Sequence, residues 1–337
     1  MADNIPNFKC AIPSTALNNA LFGGQSAYTL LGPDGIPQTA LANLGAGVRP
    51  NLLDNPYFTG GSSQEVGLRL PINQRGQTSA SEDSTFYLID RWKNMAGTQA
   101  EIGDAGYTFT PPAGSNGWFQ QVTDKNTEDF NGKPLTLSAL FSDGSLITGT
   151  VESWVSASVD IKVQGYGRLR IQPLSNYTQL GATFYHDAGV VKTYVAVKLE
   201  EGSNQTLAYK DGDGVWQLLP QPDMDYGTQL EKCQRFLHKI PIGSYHGRAS
   251  SSSAVRFTIP IYPPMRANPV LQGNASWMCN RYDGHQIAIS SIAPSSVYDS
   301  EAGFVSLLAV VDGADSLADY TLTLLSASEP VYLSAQL

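Results

Sequence analysis

The sequence predicts an all-β protein with two jelly-roll-like β-sandwich domains, joined by a hairpin and one short helix and preceded by an N-terminal arm. Short segments of alternating apolar and polar residues recur along most of the 337-residue chain, and only one segment has useful helical periodicity. The 32 Gly, 20 Pro and 16 Tyr are typical of many turns between strands, with aromatic side chains on pleated surfaces. The length exceeds that of a usual single domain, so two domains are expected.

Residues 1–49 form the predicted N-terminal arm. Pro13–Phe22 could form one short helix within it. So few bulky apolar residues cannot bury a core of their own. Two interpretations stay open: a leader without structure, or an arm that orders on a larger assembly or between subunits. The second is favoured because a leader would not need bulky side chains such as Phe8, Phe22 and Leu30.

Residues 50–202 form the first predicted β-sandwich. Strand signals recur there at short spacing with turn residues between them, as in a sandwich or jelly roll. In one of these segments Leu135 and Leu137 alternate with Thr136 and Ser138, which is typical of a half-buried strand. The predicted strands are Gly106–Thr110, Gly117–Val122, Leu135–Phe141, Ser145–Val151, Ser158–Val163, Gly167–Gln172, Gly181–Tyr185 and Thr193–Leu199.

Residues 203–238 are predicted to link the two domains through a hairpin and a helix. The hairpin turn is Asp211–Gly214, whose sequence DGDG is a strong turn signal. The same residues resemble half of a calcium loop, but no Glu stands in register at position twelve, so the turn is favoured. The helix is predicted over residues 224–238, with Tyr226, Leu230, Cys233 and Leu237 along one apolar stripe. That stripe either docks on a neighbouring sandwich or forms a short bundle on a threefold axis.

Residues 239–337 form the second predicted β-sandwich. The segment Ser250–Ser253 is expected at a loop tip, and Pro330–Ala335 is expected to form a final edge strand because Pro330 stands at its start. The other predicted strands are Val255–Ile261, Ile287–Ile292, Phe304–Val311 and Tyr320–Leu325.

The composition excludes several classes of protein. The formal net charge of −9 argues against nucleic-acid binding, which requires clustered Lys and Arg. No stretch of about 18 apolar residues is present, so no membrane insertion is expected. The first residues lack the basic and apolar regions of a signal peptide. Cys10, Cys233 and Cys279 are far apart and show no metal-ligand spacing, so they are interpreted as reduced thiols.

No catalytic, cofactor-binding or metal-binding residues are predicted. The four histidines form no HxH or HExxH pattern, and neither a GxSxG motif nor a phosphate-binding loop is present. The carboxylates of the first domain lie mostly at predicted turns, where Asp is favoured by its backbone hydrogen bonds. A glycosidase would need two acids flanking the sugar bond, and no segment indicates such a pair.

Five sequence blocks carry a resemblance to a known family. They are NLLDNPYF at Asn51–Phe58, PINQRGQ at Pro71–Gln77, IDRW at Ile89–Trp92, VAVKLEEG at Val195–Gly202 and QLEKCQRF at Gln229–Phe236. In this order they resemble a carbohydrate-binding-like β-sandwich module in virion fibre and minor structural proteins of phages that infect Gram-positive bacteria. The resemblance covers roughly residues 50 to 275. In the family, VAVKLEEG closes the sandwich and the last block is a short helix after it.

The resemblance implies a non-enzymatic virion fibre protein that is made in the bacterial cytoplasm, released by lysis and assembled as a homotrimer. Its implied partners are a host cell-surface glycan and other virion proteins, tail or capsid, which residues 1–49 would contact. A tail fibre with a receptor-binding role is the first expectation. A capsid-attached head fibre or decoration protein is the alternative, and a polysaccharide hydrolase is the least favoured reading.

Candidate glycan contacts are exposed aromatic rings beside polar groups on distal loops. The first set is Trp277, Asn280, Arg281 and Tyr282, expected on a loop before the Ile287 strand. The second set is Trp154 and Tyr166, which are flanked by small or polar residues and are expected to be exposed. Trp92 and Trp118 are expected to lie in the core of the first sandwich.

Overall fold

The computed structural model describes residues 48–59, 70–176, 178–211, 213–241, 243–273, 276–299, 303–311, 314, 319–326 and 331–335. Within these residues the protein is all-β, as predicted, with several antiparallel sheets and one short α-helix. The predicted arm lies outside the described residues except for Val48 and Arg49.

Twelve strands between residues 79 and 201 form two antiparallel sheets of six strands each. They are β1 (Ser79–Ser81), β2 (Phe86–Tyr87), β3 (Lys93–Asn94), β4 (Gln99–Gly103), β5 (Gly106–Thr110), β6 (Gly117–Asn126), β7 (Leu135–Phe141), β8 (Leu146–Val151), β9 (Val159–Val163), β10 (Gly167–Leu174), β11 (Gln179–His186) and β12 (Lys192–Glu201). The first sheet has the order β1-β4-β5-β12-β7-β8, and the second has the order β2-β3-β6-β11-β10-β9. A 3-10 helix, Thr127–Phe130, follows β6.

The inner faces of the two sheets enclose a core rich in aromatic residues. Phe119 of β6 stacks on Phe184 of β11 with ring centroids 5.0 Å apart, and Tyr194 of β12 meets Phe119 edge-on at 4.9 Å. Trp92 is fully buried against the same pair, which confirms its predicted place in the core. Offset and edge-to-face ring pairs of this kind add about 0.5–1.5 kcal/mol each beyond area burial.

The outer face of the first sheet is covered over half of its width by a hairpin. The hairpin consists of β13 (Ala208–Lys210) and β14 (Trp216–Leu218), and the pairing confirms the predicted turn between them. Its residues pack with Tyr57, Leu140 and Ala196 in a second apolar cluster. All seven residues of β7 are therefore buried, although the alternation in its sequence predicts a half-buried strand.

The one α-helix among the described residues, α1, spans Tyr226–Gln234, and it is shorter than the predicted range of 224–238. Its N-terminus is capped by Asp225, whose side chain accepts a hydrogen bond from the Thr228 amide at 2.8 Å. The helix ends early because the following residues pair as a strand, β15 (Leu237–Lys239). Leu237, the last member of the predicted apolar stripe, belongs to that strand.

The second sandwich combines a seven-stranded sheet with a three-stranded sheet. The remaining strands are β16 (Ser244–Ser251), β17 (Ala254–Pro260), β18 (Val270–Gln272), β19 (Ser276–Arg281), β20 (Gln286–Ile287), β21 (Ile289–Asp299), β22 (Phe304–Val311), β23 (Asp319–Ser326) and β24 (Tyr332–Ser334). The larger sheet has the order β20-β19-β23-β16-β17-β22-β21, and the smaller one has the order β15-β24-β18. The second core lies among strands of both sheets and includes Phe257, Leu307 and Leu333.

The last strand of the described chain is not at an edge. The prediction of an edge strand over Pro330–Ala335 is wrong, because β24 pairs with β15 on one side and β18 on the other. The strand itself starts at Tyr332, beyond the proline, so no ladder hydrogen bond is lost.

Candidate functional site

The first sequence block, NLLDNPYF, is hydrogen-bonded to β12, the last strand of the first sandwich. The Asn51 side chain donates a hydrogen bond to the Val197 carbonyl at 2.9 Å and accepts one from the Leu199 amide at 3.2 Å. The following residues run beside β12, where the Leu52 amide donates to the Leu199 carbonyl at 2.8 Å. The NLLDNPYF and VAVKLEEG blocks are thus bonded to each other, although they stand far apart in the sequence.

Asn55 joins three segments at one buried point. Its side chain donates to the carbonyls of Ile72 and Asp90, each at 2.9 Å, and accepts from the Ile72 amide at 2.7 Å. Its own carbonyl accepts from the indole nitrogen of Trp92 at 2.8 Å. The backbone φ of Asn55 is 50°, a left-handed conformation that Asn adopts more readily than most residues. These bonds connect the NLLDNPYF, PINQRGQ and IDRW blocks.

Asp90 and Gln74 extend this network to the second sandwich. The fully buried Asp90 carboxylate accepts from the Gln74 side chain at 2.7 Å and pairs with Arg75 at 3.1 Å. Burial raises the pKa of Asp90 to about 6, against the opposing effect of the Arg75 guanidinium. The same Gln74 side chain also donates to the Leu237 carbonyl at 2.7 Å, and the Gln74 backbone carbonyl accepts from the Tyr332 hydroxyl at 3.0 Å.

Helix α1 docks against the same network. The Asn55 amide donates to the Gln229 side chain at 2.6 Å, and both Gln229 and Cys233 are fully buried. The Arg91 guanidinium lies 3.2 Å from the centre of the Phe236 ring and pairs with Asp54 at 3.2 Å. These contacts agree with the docking interpretation of the helix, whereas the threefold bundle stays an untested alternative. We call the set of Asn55, Gln74, Asp90, Arg91 and Gln229, with their direct partners, the junction.

A second buried polar cluster lies under the hairpin. Lys198 donates from its ammonium group to the Thr206 carbonyl at 3.2 Å, the Thr206 hydroxyl at 2.8 Å and the Gln221 side chain at 2.8 Å. Glu200 lies 3.7 Å from the same ammonium group, and burial lowers the pKa of Lys198 to about 8. The charged residues of the VAVKLEEG block therefore fix the hairpin to the first sandwich.

Asp90 and Lys198 are both fully buried, and the charged groups of both side chains are hydrogen-bonded to other groups of the protein. Within the described ranges, no group of three His, Cys, Asp or Glu side chains could hold a metal ion. Among the same residues, no helix is long and apolar enough to cross a membrane.

The exposure predicted for Trp154 and Tyr166 is wrong. Trp154 is fully buried, and its indole nitrogen donates to the Ala157 carbonyl at 3.0 Å. Tyr166 is also buried, and its hydroxyl lies 2.5 Å from the Tyr194 hydroxyl, which in turn lies 2.5 Å from the Nε2 atom of His186. Small flanking residues in the sequence suggested exposure, but at both positions the ring reaches the core and its polar atom has a partner there.

Most members of the other predicted set of glycan contacts lie in a strand, and only Tyr282 lies in the turn that follows it. Trp277, Asn280 and Arg281 belong to β19, whereas a loop is predicted there. Trp277 is half-buried against the second core, and only Tyr282 stands free, with 89% of its surface exposed. Arg281 donates from Nε to Asp283 at 2.9 Å, and its amide donates to the His285 carbonyl at 2.8 Å. The structure thus brings an aromatic ring, an amide and an ion pair to one hairpin end.

The outer face of the second sheet carries a group of residues that the sequence interpretation missed. Trp118 is half-exposed, whereas the prediction placed it in the core. Adjacent residues of a strand point to opposite faces, and Phe119 occupies the core position. Trp118 pairs in register with Tyr185, which pairs with Arg168. The sequence Gly117-Trp-Phe-Gln has two successive aromatic residues, and in a strand only one of them can face the core. This pattern could have predicted that one of the two rings is exposed.

A shallow cavity lies on the uncovered half of the first sheet. It has a volume of about 380 Å³ and is lined by residues of β1, β4 and β5, among them Ser81, Gln99, Glu101 and Thr108. Its lining has hydroxyl, amide and carboxylate groups but no aromatic ring and no cation.

Comparison with protein-family models, with curated proteins and with solved structures found no match.

Proposed function

We propose that this chain is a non-enzymatic, trimeric fibre protein of a phage virion that adheres to glycans on the host surface. The supporting observation is the junction. All five blocks that resemble the phage module contribute to it or to the strand and helix it holds, and the Gln74 side chain links it to the Leu237 carbonyl of the second sandwich. Such bonds suit a part that must keep its two domains aligned under load.

The perturbed titratable groups favour a structural role over catalysis. Asp90 and His186 have the strongly shifted pKa values that often mark active sites, but both are fully buried. The Asp90 carboxylate is bonded to Gln74 and Arg75, and both ring nitrogens of His186 are bonded to protein groups. A hydrolase acting on polysaccharide would instead need two acids that face an open groove.

The trimer and the partners follow from the resemblance and from the surface. Three copies of a weak glycan site on one threefold particle increase the effective ligand concentration, so weak single contacts suffice for adhesion. Residues 1–49 would contact other virion proteins of the tail or capsid. The glycan contacts proposed at the hairpin end are Trp277, Asn280, Arg281 and Tyr282, with Tyr282 the most exposed of them.

A capsid-attached head fibre or decoration protein is the second candidate. The observation that favours it is compactness: the described chain has one α-helix of nine residues and two short sandwiches, and no shaft. A head fibre would have the same architecture and trimeric state, and adhesion would be optional.

Competition for adsorption tests the proposed function. Purified protein added in excess should reduce phage adsorption to host cells, and incubation with host wall polysaccharide should release no new reducing ends. If phage adsorption is unchanged at saturating protein, the receptor-binding role is wrong, and the head-fibre alternative remains. New reducing ends that depend on the protein would contradict the non-enzymatic proposal.

A further inference from the structure

The outer face of the second sheet presents two rows of side chains that run across the strands. Strand pairing defines the first row, which contains Lys162, Arg168, Tyr185 and Trp118. The second row lies two residues away along the strands and contains Asp160, Arg170, Gln120 and Lys93, with the fully buried Thr183 beneath it. From β9 to β6 the rows cross three strand spacings, about 15 Å. We call the two rows the platform.

The platform is basic within an acidic protein. Its rows hold four cations, Lys93, Lys162, Arg168 and Arg170, and one acid, Asp160, whereas the whole chain has a net charge of −9. That net charge repels an anionic polymer at long range. Charges beyond about 8–10 Å are screened at physiological ionic strength, so the local cations decide the interaction once a ligand is in contact.

The two arginines of the platform are held in place by neighbouring side chains. Arg170 donates from Nε and Nη2 to both oxygens of Asp160, at 2.5 and 2.8 Å, and Arg168 lies 3.6 Å from the same carboxylate. The guanidinium carbons of Arg168 and Arg170 lie 4.1 and 4.9 Å from the centre of the Tyr185 ring. The two guanidinium groups are therefore ordered side by side around one tyrosine, which lowers the entropy lost when they bind a ligand.

Hydroxyl and amide groups continue the platform toward its centre. The Gln172 side chain donates to the Thr183 hydroxyl at 2.7 Å, and that hydroxyl donates to the Gln120 side chain at 3.3 Å. This chain of bonds ends on the half-exposed Gln120 amide, in the strand next to Lys93 and two residues from Trp118. An ordered amide between a ring and a cation can bond sugar hydroxyl groups while the ring packs on the apolar face of the sugar.

We propose that the platform binds an acidic polysaccharide, with its carboxylate or phosphate groups on Arg168 and Arg170 and a sugar ring on Trp118. A guanidinium group can donate two parallel hydrogen bonds to two oxygens of either a carboxylate or a phosphate. An acidic polysaccharide would be the ligand class of the proposed adhesion. The location of this ligand on a cell surface rests on the proposed function, whereas binding by the platform does not. It concerns a surface distinct from the hairpin end at Tyr282.

Direct binding to defined polymers tests the inference with the full chain. The probes are polygalacturonate for carboxylate, poly(glycerol phosphate) for phosphate, dextran as the neutral polymer and single-stranded DNA as the competing polyanion. We expect binding to one or both acidic polymers and none to dextran. The affinity should fall when NaCl is raised from about 0.05 M to about 0.5 M, because the contacts are ionic and exposed.

Charge-matched variants locate the binding. Arg168→Gln/Arg170→Gln should weaken binding about tenfold or more, since it removes the charged hydrogen bonds. Lys133→Gln/Lys192→Gln changes the net charge equally and also removes two ion pairs, with Glu201 and Asp143, but away from the platform; its binding should match the unmodified protein. If the arginine variant does not fold, Lys93→Gln/Lys162→Gln replaces it, and Trp118→Leu tests the ring separately.

Several outcomes would overturn the inference. They are no binding to either acidic polymer, equal binding to dextran, equal or tighter binding to DNA, or equal loss in the platform and control variants. Failure here is distinct from failure of the proposed function: protein that still competes for phage adsorption but ignores acidic polymers keeps the fibre assignment and loses the platform. If the protein binds acidic polymers through the platform but is missing from the virion, the platform stands and the fibre assignment fails.

Discussion

At the scale of single residues, two buried groups of the first sandwich give opposite dependences of stability on pH. Burial raises the pKa of Asp90 to about 6, so the folded protein takes up this proton before the unfolded chain does as pH falls. Burial lowers the pKa of His186 to about 4, so the unfolded chain takes up that proton first. Acidification from pH 7 to 4 therefore adds stability through Asp90 and removes it through His186.

The Asp90→Asn variant should isolate one half of this balance. Asparagine does not titrate, so the free energy of unfolding of the unmodified protein should rise by about 2 kcal/mol relative to the variant as pH falls from 7 to about 4. Denaturant unfolding of both proteins across this range measures the difference. Parallel pH profiles would show that Asp90 has an ordinary pKa and is not sealed in the junction.

The exposed ring of Tyr282 should affect adhesion without affecting folding. With 89% of its surface exposed, Tyr282→Ala should change the free energy of unfolding by no more than about 0.5 kcal/mol. If the hairpin end contacts glycan, the same change should weaken adsorption, by about 1–3 kcal/mol for each lost ring contact. Tyr282→Phe, which keeps the ring, is the matched control. Unchanged adsorption in the alanine variant would remove this residue from the contact surface.

At the scale of elements, long alternating segments could be predicted from the sequence and short or covered ones could not. Leu135–Phe141 and Phe304–Val311 are strands with the predicted bounds. The strands of two or three residues, β1 to β3, lack a period long enough to detect. The helix ends early because β15 pairs with β24, a partner almost a hundred residues away in the sequence.

The errors at the candidate site also arise from contacts between residues that are distant in the sequence. Whether Trp154, Tyr166 or Trp118 faces the core depends on which neighbour fills the space beside it, and one strand of sequence does not contain that information. The polar partners of the buried rings, the Ala157 carbonyl and the Tyr194 hydroxyl, become apparent only in the fold. The junction blocks, in contrast, could be located in the sequence, although their mutual bonds could not.

The hairpin should act as a cover of the first sandwich rather than a flexible linker. Leu207 is fully buried under it, whereas Val215 near its turn is 41% exposed. Leu207→Ala should lower the free energy of unfolding by about 2–5 kcal/mol, and Val215→Ala should lower it by less than about 1 kcal/mol. Thermal and denaturant unfolding of the pair measures this. Equal effects would mean that the hairpin does not pack as the structure shows.

At the scale of the whole molecule, the junction should make the two sandwiches unfold together. The Gln74 side chain bonds both Asp90 and the Leu237 carbonyl, so Gln74→Ala removes one direct link and leaves buried groups without a donor. We expect one calorimetric transition in the unmodified protein and two separate transitions in the variant. Gln77→Ala, at an exposed position of the same block, should keep the single transition. A single transition in both variants would show that other contacts hold the domains.

An electron-microscopy map of the phage particle, with the two sandwiches fitted as one unit, tests whether this chain is the proposed trimeric virion fibre. We expect three copies around a threefold axis on the outside of the particle, with residues 1–49 toward the virion and the Tyr282 hairpin and the platform accessible from outside. A complete map in which every external protein is accounted for, and none has these two sandwiches, would contradict it.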